Sequence, residues 1–233
     1  MKFKSLSAFL ILVLLFSTFI LAGCNSKVKN REYNEDEVVA AAASLLKNSE
    51  VLNTVIFGEG IGYVDSNYKN GYYYEADVMH LSRLGFTTIA ELEALARRTY
   101  TERYASSVLK TVLEPLYDDK GNIRYMNRYY QAYDDYSGLV PARIMVYTRY
   151  ERDRIIFDDR MEINYDSIRS DGSDGDIVNM KVEVTVTSTD GKSSQTRDIS
   201  FKLIEEVAGR WRLVGPVLAN YSEYFNKVNE NNK

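Results

Sequence analysis

Residues 177–188 read IVNMKVEVTVTS. Successive side chains of a strand point to opposite faces. Val178, Met180, Val182, Val184 and Val186 therefore share one face, and Asn179, Lys181, Glu183, Thr185 and Thr187 share the other. A strand apolar on one side and polar on the other belongs to an antiparallel sheet covered on one face. The neighbouring segments repeat the pattern. Residues 160–169 place Met161, Ile163 and Tyr165 on one side. Thr189-Asp190-Gly191-Lys192 predicts a hairpin turn, after which residues 196–205 return with Ile199, Phe201 and Leu203. AGRW, residues 208–211, turns once more into Trp211 and Leu213. Together these segments predict a curved antiparallel meander. The acidic run DGSDGD, 171–176, reads as a surface hairpin loop. As a calcium loop beginning at Asp171 it fails, because Ser173 and Val182 stand where acidic ligands are required.

The apolar face of such a sheet needs a cover, and the first half of the chain supplies helices. Asn34 and Glu37 have capping-box spacing, and Val38, Ala42, Leu45, Leu46 and Ser49 then recur on one helical face. FGEGIGY, 57–63, breaks that helix. Its glycines lack the G-x-G-x-x-G spacing of a dinucleotide loop, so a loop or strand edge is expected. NGYYYEADVMHL, 70–81, reads as a tight turn at Asn70-Gly71 followed by an aromatic strand. Thr88 and Glu91 open a second helix with Ile89, Leu92, Leu95 and Ala96. Thr99 and Glu102 repeat the spacing, predicting a break near Tyr100. A third helix follows with Tyr104, Val108, Val112 and Leu113, stopped by Pro115. DDKGN, 118–122, is a turn. The expected fold is α+β: N-terminal helices packed on a curved antiparallel sheet, in one domain over residues 34–221. Residues 24–33 read as a tether and 222–233 as a frayed tail.

The N-terminus carries Lys2 and Lys4, an apolar run from Ala8 to Ala22, and then Leu21-Ala22-Gly23-Cys24. At about 15 residues the run is short for a membrane span and suits the apolar stretch of a signal peptide. LAGC resembles the bacterial lipobox. That resemblance implies cleavage of residues 1–23 and acylation of Cys24, the single cysteine, so that the chain lies outside the cytoplasmic membrane and is anchored to it by lipid. An ordinary secretory peptide and an uncleaved anchor are the alternatives. Lys27, Lys29 and Arg31 follow closely enough to touch anionic headgroups, each worth about 1 kcal/mol. Without Lys2 and Lys4 the chain has 27 basic and 33 acidic side chains, a net charge of -6. That balance makes nucleic acid a poor partner.

Two further resemblances rest on particular residues. The closing segment TRDISFKLIEEVAGRWRLVGP carries Gly209, Arg210, Trp211 and Leu213, and together with the helices-then-sheet order it resembles the NTF2-like and cystatin-like α+β folds. Over about residues 72–130, a tyrosine-rich strand, the helix TTIAELEALARRTYT and the turn YDDKGNIRYM are similar to secreted bacterial inhibitors of DL-endopeptidases. This second resemblance implies a hydrolase-binding role in the cell envelope. It has no counterpart over residues 134–176.

Reactive chemistry is sparse. With Cys24 acylated, His80 is the only remaining side chain of the usual zinc-ligating pair, so no His/Cys zinc set can form. No metal or other cofactor is expected. Asp77, three residues before His80, could form an acid–base pair, but in a strand the two would face opposite ways. The acidic doublets Asp118-Asp119, Asp134-Asp135 and Asp158-Asp159 have the same defect. The richest feature is NIRYMNRYYQAYDDYSG, 122–138, which collects Tyr125, Tyr129, Tyr130, Tyr133 and Tyr136. Tyrosine combines a rigid apolar face with one hydroxyl, as recognition surfaces require. Tyr125, Tyr129, Tyr130 and Tyr133 are therefore the candidate binding residues; half-buried sheet packing is the alternative. Some of Arg143, Arg149, Arg152, Arg154 and Arg160 are expected to pair with Glu151, Asp153, Asp158 and Asp159 on a charged sheet face. The function these features imply is non-enzymatic: a lipid-anchored binding protein that recognises an envelope protein or a peptidoglycan fragment. A small-molecule pocket of the NTF2-like type and an enzyme using Asp77 and His80 are the alternatives.

Overall fold

The structure is a computed structural model that describes residues 33–64, 69–133, 143–150, 160–187 and 191–217. The signal segment, Cys24, nearly all of the tether and the tail lie outside the described residues. Among the described residues there are four helices: α1 (Glu35–Ile56), α2 (Val78–Leu84), α3 (Ile89–Thr99) and α4 (Glu102–Leu113). Ten strands among the described residues form three antiparallel sheets. The large sheet has the order β10-β9-β8-β7, built from β7 (Arg160–Asp174), β8 (Ile177–Thr187), β9 (Ser194–Val207) and β10 (Arg210–Leu213). A smaller sheet has the order β1-β2-β6-β5, from β1 (Lys69–Asn70), β2 (Tyr73–Glu75), β5 (Tyr129–Ala132) and β6 (Arg143–Tyr147). β3 (Leu116–Tyr117) and β4 (Ile123–Tyr125) make a separate hairpin. The class is α+β. The large sheet is open and uncurled where a curved one was expected.

β8 sits between β7 and β9 and keeps its predicted faces. Val178, Met180, Val182 and Val184 are buried, and Val186 is partly so. On the wet face Thr185 shares a hydroxyl hydrogen bond with Thr196 at 3.0 Å, and Arg169 pairs with Asp198 at 2.5 Å. DGSDGD is mostly strand rather than loop: its first four residues end β7 and only Gly175-Asp176 make the turn into β8; its Asp171 pairs with Lys181 at 2.9 Å. The turn between β8 and β9 lies partly outside the described residues. At the β9–β10 turn Gly209 has a φ of 73°, and β10 then buries Trp211 and Leu213.

α1 covers the sheet, lying against β7 and β10. The Asn34 carboxamide oxygen accepts the amide hydrogens of Asp36 and Glu37 at 3.1 and 3.4 Å, and three acidic residues of the first turn complement the helix dipole. Its inner face holds Val38, Ala42, Leu46, Leu52, Val55 and Ile56. Tyr33, the first described residue, donates its hydroxyl to the Gly175 carbonyl at 2.9 Å and sets its ring edgewise on Trp211, with centroids 5.1 Å apart. The N-terminal end of α1 is thereby fixed beside the β7–β8 hairpin. Between helices and sheet runs a polar thread: Ser49 Oγ meets the Tyr100 hydroxyl at 2.9 Å, and Asn53 Nδ2 donates to the Val217 carbonyl at 3.1 Å. These partners satisfy groups whose burial alone would cost stability.

Two local expectations change. The strand predicted through residue 81 stops at Glu75. The Asp77 carboxylate instead accepts the amide hydrogens of Met79 and His80 at 2.8 and 3.4 Å and caps α2, which Gly85 closes at φ 79°. Thr99 does not open a helix. Its hydroxyl donates to the Leu95 carbonyl at 2.7 Å inside α3, and Thr101 is the N-cap of α4 without a side-chain bond. The predicted break at Tyr100 is present, because that residue turns extended and forms a parallel bridge with Leu213. Thr88 and Glu91 do form the capping box that opens α3.

Met180 and Asn179 provide a direct check of the sheet's two faces. Met180→Ala should cost about 2–5 kcal/mol, since it removes a fully buried side chain. Asn179→Ala should change stability by no more than about 0.5 kcal/mol. Urea unfolding of the two variants reads the difference; equal costs would place β8 in another register.

Candidate binding groove

The segment 126–130 joins the helical layer to the small sheet, and its centre is a buried arginine. Arg128 Nη1 donates to the carbonyls of Val55 and Ile56, each at 3.1 Å, and Nη2 donates to Gly58 at 2.9 Å. These are carbonyls at and just beyond the end of α1, where helical partners run out and the dipole is negative. The guanidinium also lies over the rings of Tyr129 and Tyr150, 5.4 and 5.0 Å from their centroids. The Tyr129 hydroxyl donates to the Val55 carbonyl at 2.8 Å and accepts the Ile61 amide hydrogen at 3.0 Å.

These contacts explain the glycines of FGEGIGY. Gly60 has a φ of 89°, and a Cβ there would collide with the Arg128 guanidinium and the Tyr129 hydroxyl. A Cβ on Gly62 would collide with His80 Nδ1, which accepts the Gly62 amide hydrogen at 2.8 Å. The loop needs glycine because side chains from α2 and the small sheet press on its backbone.

Beside Arg128 the small sheet carries a groove of about 530 Å³. Its floor is Tyr73, 8% exposed, on the inner strand β2. Tyr130 meets Tyr73 at 4.8 Å and 79°, and Tyr147 meets it at 5.0 Å and 42°. Tyr72 stands edgewise to Tyr147 at 6.3 Å, with the Arg149 guanidinium 3.7 Å above its ring centre. Asn70, Gly71, Met126 and Asn127 complete the described lining. Perpendicular ring contacts of this kind match the positive edge of one ring to the negative face of the next. The Tyr73 hydroxyl hydrogen-bonds both the backbone and side-chain oxygens of Asn127, at 2.9 and 2.8 Å. Asn127 Nδ2 donates to the Tyr129 carbonyl at 2.8 Å, so both ends of that carboxamide are held. Burial, followed by the neighbouring Tyr147 and Tyr130, pushes the Tyr73 hydroxyl up to about 12.

The four tyrosines expected as binding residues separate. Tyr130 lines the groove. Tyr125, on β4, is 38% exposed with Arg124 over its ring at 5.5 Å, and Tyr133 is 72% exposed. Tyr129 is a core residue at 0% exposure, which removes it from any surface; alternation along β5 turns its ring inward while Tyr130 turns out. The groove residues that sequence reading missed are Tyr72, Tyr73, Tyr147, Met126 and Asn127. The YYY run at 72–74 and the tyrosine closing RIMVY were the available signal. Of the arginines, Arg143 pairs with Glu75 at 3.6 Å and Arg149 stacks on Tyr72. Arg152, Arg154 and their expected acidic partners lie outside the described residues. Asp118 is engaged by its own turn: the Asn122 carboxamide donates to it at 3.1 Å, and the backbone amides of Asn122 and Lys120 donate at 2.8 and 2.9 Å; these bonds hold its carboxyl below the usual range. Asp134-Asp135 and Asp158-Asp159 are outside the described residues. Among the described residues no group of three His, Cys, Asp or Glu side chains is placed to hold a metal ion.

Comparison with protein-family models and with curated proteins finds no match to this chain.

The buried hydroxyl of Tyr73 makes the groove sensitive to alkali in a defined direction. Its folded value lies above the ordinary value of 10, so the protein-stabilising contribution of the neutral phenol is complete below pH 10 and is lost as pH rises towards 12. Tyr73→Phe should therefore show a shallower fall of the urea midpoint between pH 9.5 and about 11.5 than the parent. Parallel curves would show that the hydroxyl is not held neutral by the fold.

Proposed function

We propose that this chain is a lipid-anchored extracytoplasmic binding protein that recognises an envelope protein or a cell-wall fragment through the tyrosine groove, without catalysing a reaction. The observation that carries the reading is the groove itself: four tyrosine rings fixed by one another and by Asn127, open to solvent above a closed core. Rigid aromatic area that loses little entropy on binding is what recognition surfaces use. Acylation of Cys24 would supply durable attachment, with about 0.8 kcal/mol for each buried methylene.

The two alternatives have less support. The Asp77 carboxylate caps α2 and His80 Nδ1 holds the Gly62 amide, so each group is committed to backbone. The space between α1 and the large sheet is occupied by Leu46, Leu52, Met180, Leu203 and Leu213, all at 0% exposure, which leaves little for an NTF2-like pocket at that place.

Two measurements on the full chain test the reading. Cys24→Ala should abolish incorporation of labelled fatty acid and release the protein from the membrane fraction. Tyr130→Ala with Tyr147→Ala should reduce crosslinking to envelope components by about tenfold, whereas Tyr117→Ala, on the separate β3–β4 hairpin, should leave it unchanged. Labelling that survives Cys24→Ala contradicts the anchor, and unchanged crosslinking contradicts the groove.

A further inference from the structure

We infer that the groove takes a short chain of neutral sugar rings, a proposal that rests on the recognition reading and names its ligand. Three observations point to this chemistry. The described lining residues are uncharged, and the Arg149 guanidinium beside them is stacked on the Tyr72 ring. A cationic ligand would lose its hydration there without a compensating partner. Next, the hydroxyls of Tyr72, Tyr130 and Tyr147 make no hydrogen bond to another described residue, while that of Tyr73 is taken by Asn127. Three phenols that can each donate and accept stand around the aromatic surface. Pyranose rings present the matching pattern, with apolar C–H faces bordered by hydroxyls that also donate and accept.

The third observation concerns backbone. An extended peptide gains most of its affinity by adding to a free strand edge. Tyr73 and Tyr147 sit opposite each other on the adjacent inner strands β2 and β6, and their main chains are committed to the ladder. The Tyr147 amide also donates to the Arg128 carbonyl at 2.8 Å, and Tyr72 accepts at its carbonyl from Thr148 at 3.1 Å. At Tyr73 and Tyr147 recognition must come from ring faces and side-chain polar groups, as a sugar offers, while Tyr130 lies on β5 at the edge of the sheet, where the peptide probe tests strand addition.

The test is calorimetric titration of the full chain, purified in detergent, with chitotetraose, cellotetraose and a synthetic peptidoglycan stem tripeptide as separate probes. One or both tetrasaccharides should bind, with Kd raised about tenfold by Tyr130→Ala or Tyr147→Ala and unchanged by Tyr117→Ala. Tyr130→Phe and Tyr147→Phe retain the rings and the fold; each should still weaken binding about threefold by removing one hydroxyl. Sugar binding that survives all four groove variants overturns the proposal. So does binding of the tripeptide alone; if the groove variants abolish it, the recognition reading stands and only the sugar assignment fails. Silence from both tetrasaccharides overturns the proposal, and crosslinking to envelope components that Tyr130→Ala leaves unchanged overturns the recognition reading as well.

Discussion

The fold depends on where Arg128 spends its hydrogen bonds. Its guanidinium gathers three carbonyls at the end of α1, its amide donates to the Val112 carbonyl of α4 at 2.7 Å, and its own carbonyl accepts from Tyr147 on β6. One residue thus joins two helix ends to one sheet. Hydrogen bonds from a charged donor contribute about 1.5–3 kcal/mol each, more than neutral ones. Burial of the side chain at 4% exposure removes competing water, and the rings of Tyr129 and Tyr150 close over it. The backbone of the glycine loop then has to pass close to the guanidinium, so Gly60 has no room for a side chain.

This arrangement turns a structural bond into a condition for recognition. Asn127 precedes Arg128 and holds the Tyr73 hydroxyl; Tyr129 follows it and fills the core; Tyr130 comes next and walls the groove. Alternation along β5 assigns those last two opposite tasks. The groove is therefore a rigid extension of the core, and a ligand meeting it loses little to ordering of side chains. The large sheet contributes less directly. Its buried valines and Met180 carry α1, and α1 presents the carbonyls that Arg128 needs.

Much of this was legible in the sequence wherever periodicity is long. IVNMKVEVTVTS declares its inner and outer faces, and the face of α1 follows from Val38, Ala42, Leu45 and Leu46. Short elements were harder. DVMHL looked like the continuation of an aromatic strand because three tyrosines precede it, yet Asp77 and Gly85 bracket a single seven-residue helix. Thr99 and Thr101 both stand near a helix boundary, and spacing alone could not say which begins α4. The groove was half legible. The tyrosines of 122–138 drew notice, but Tyr72, Tyr73 and Tyr147 come from strands far away in sequence, and only pairing of β2 with β6 brings them together. A buried arginine is invisible to composition, since its role lies in carbonyls that some 70 residues separate from it.

Native-state hydrogen exchange on the wild-type chain tests the role of Arg128 most directly. The amide of Gly60 bonds to the Thr54 carbonyl at the end of α1, and that of Tyr147 bonds to Arg128 in the small sheet. If Arg128 couples the helix end to the groove, both amides exchange through one opening with the same free energy and the same denaturant dependence. If the Tyr147 amide exchanges through a local opening that leaves Gly60 protected, the groove is independent of the core and the account is wrong.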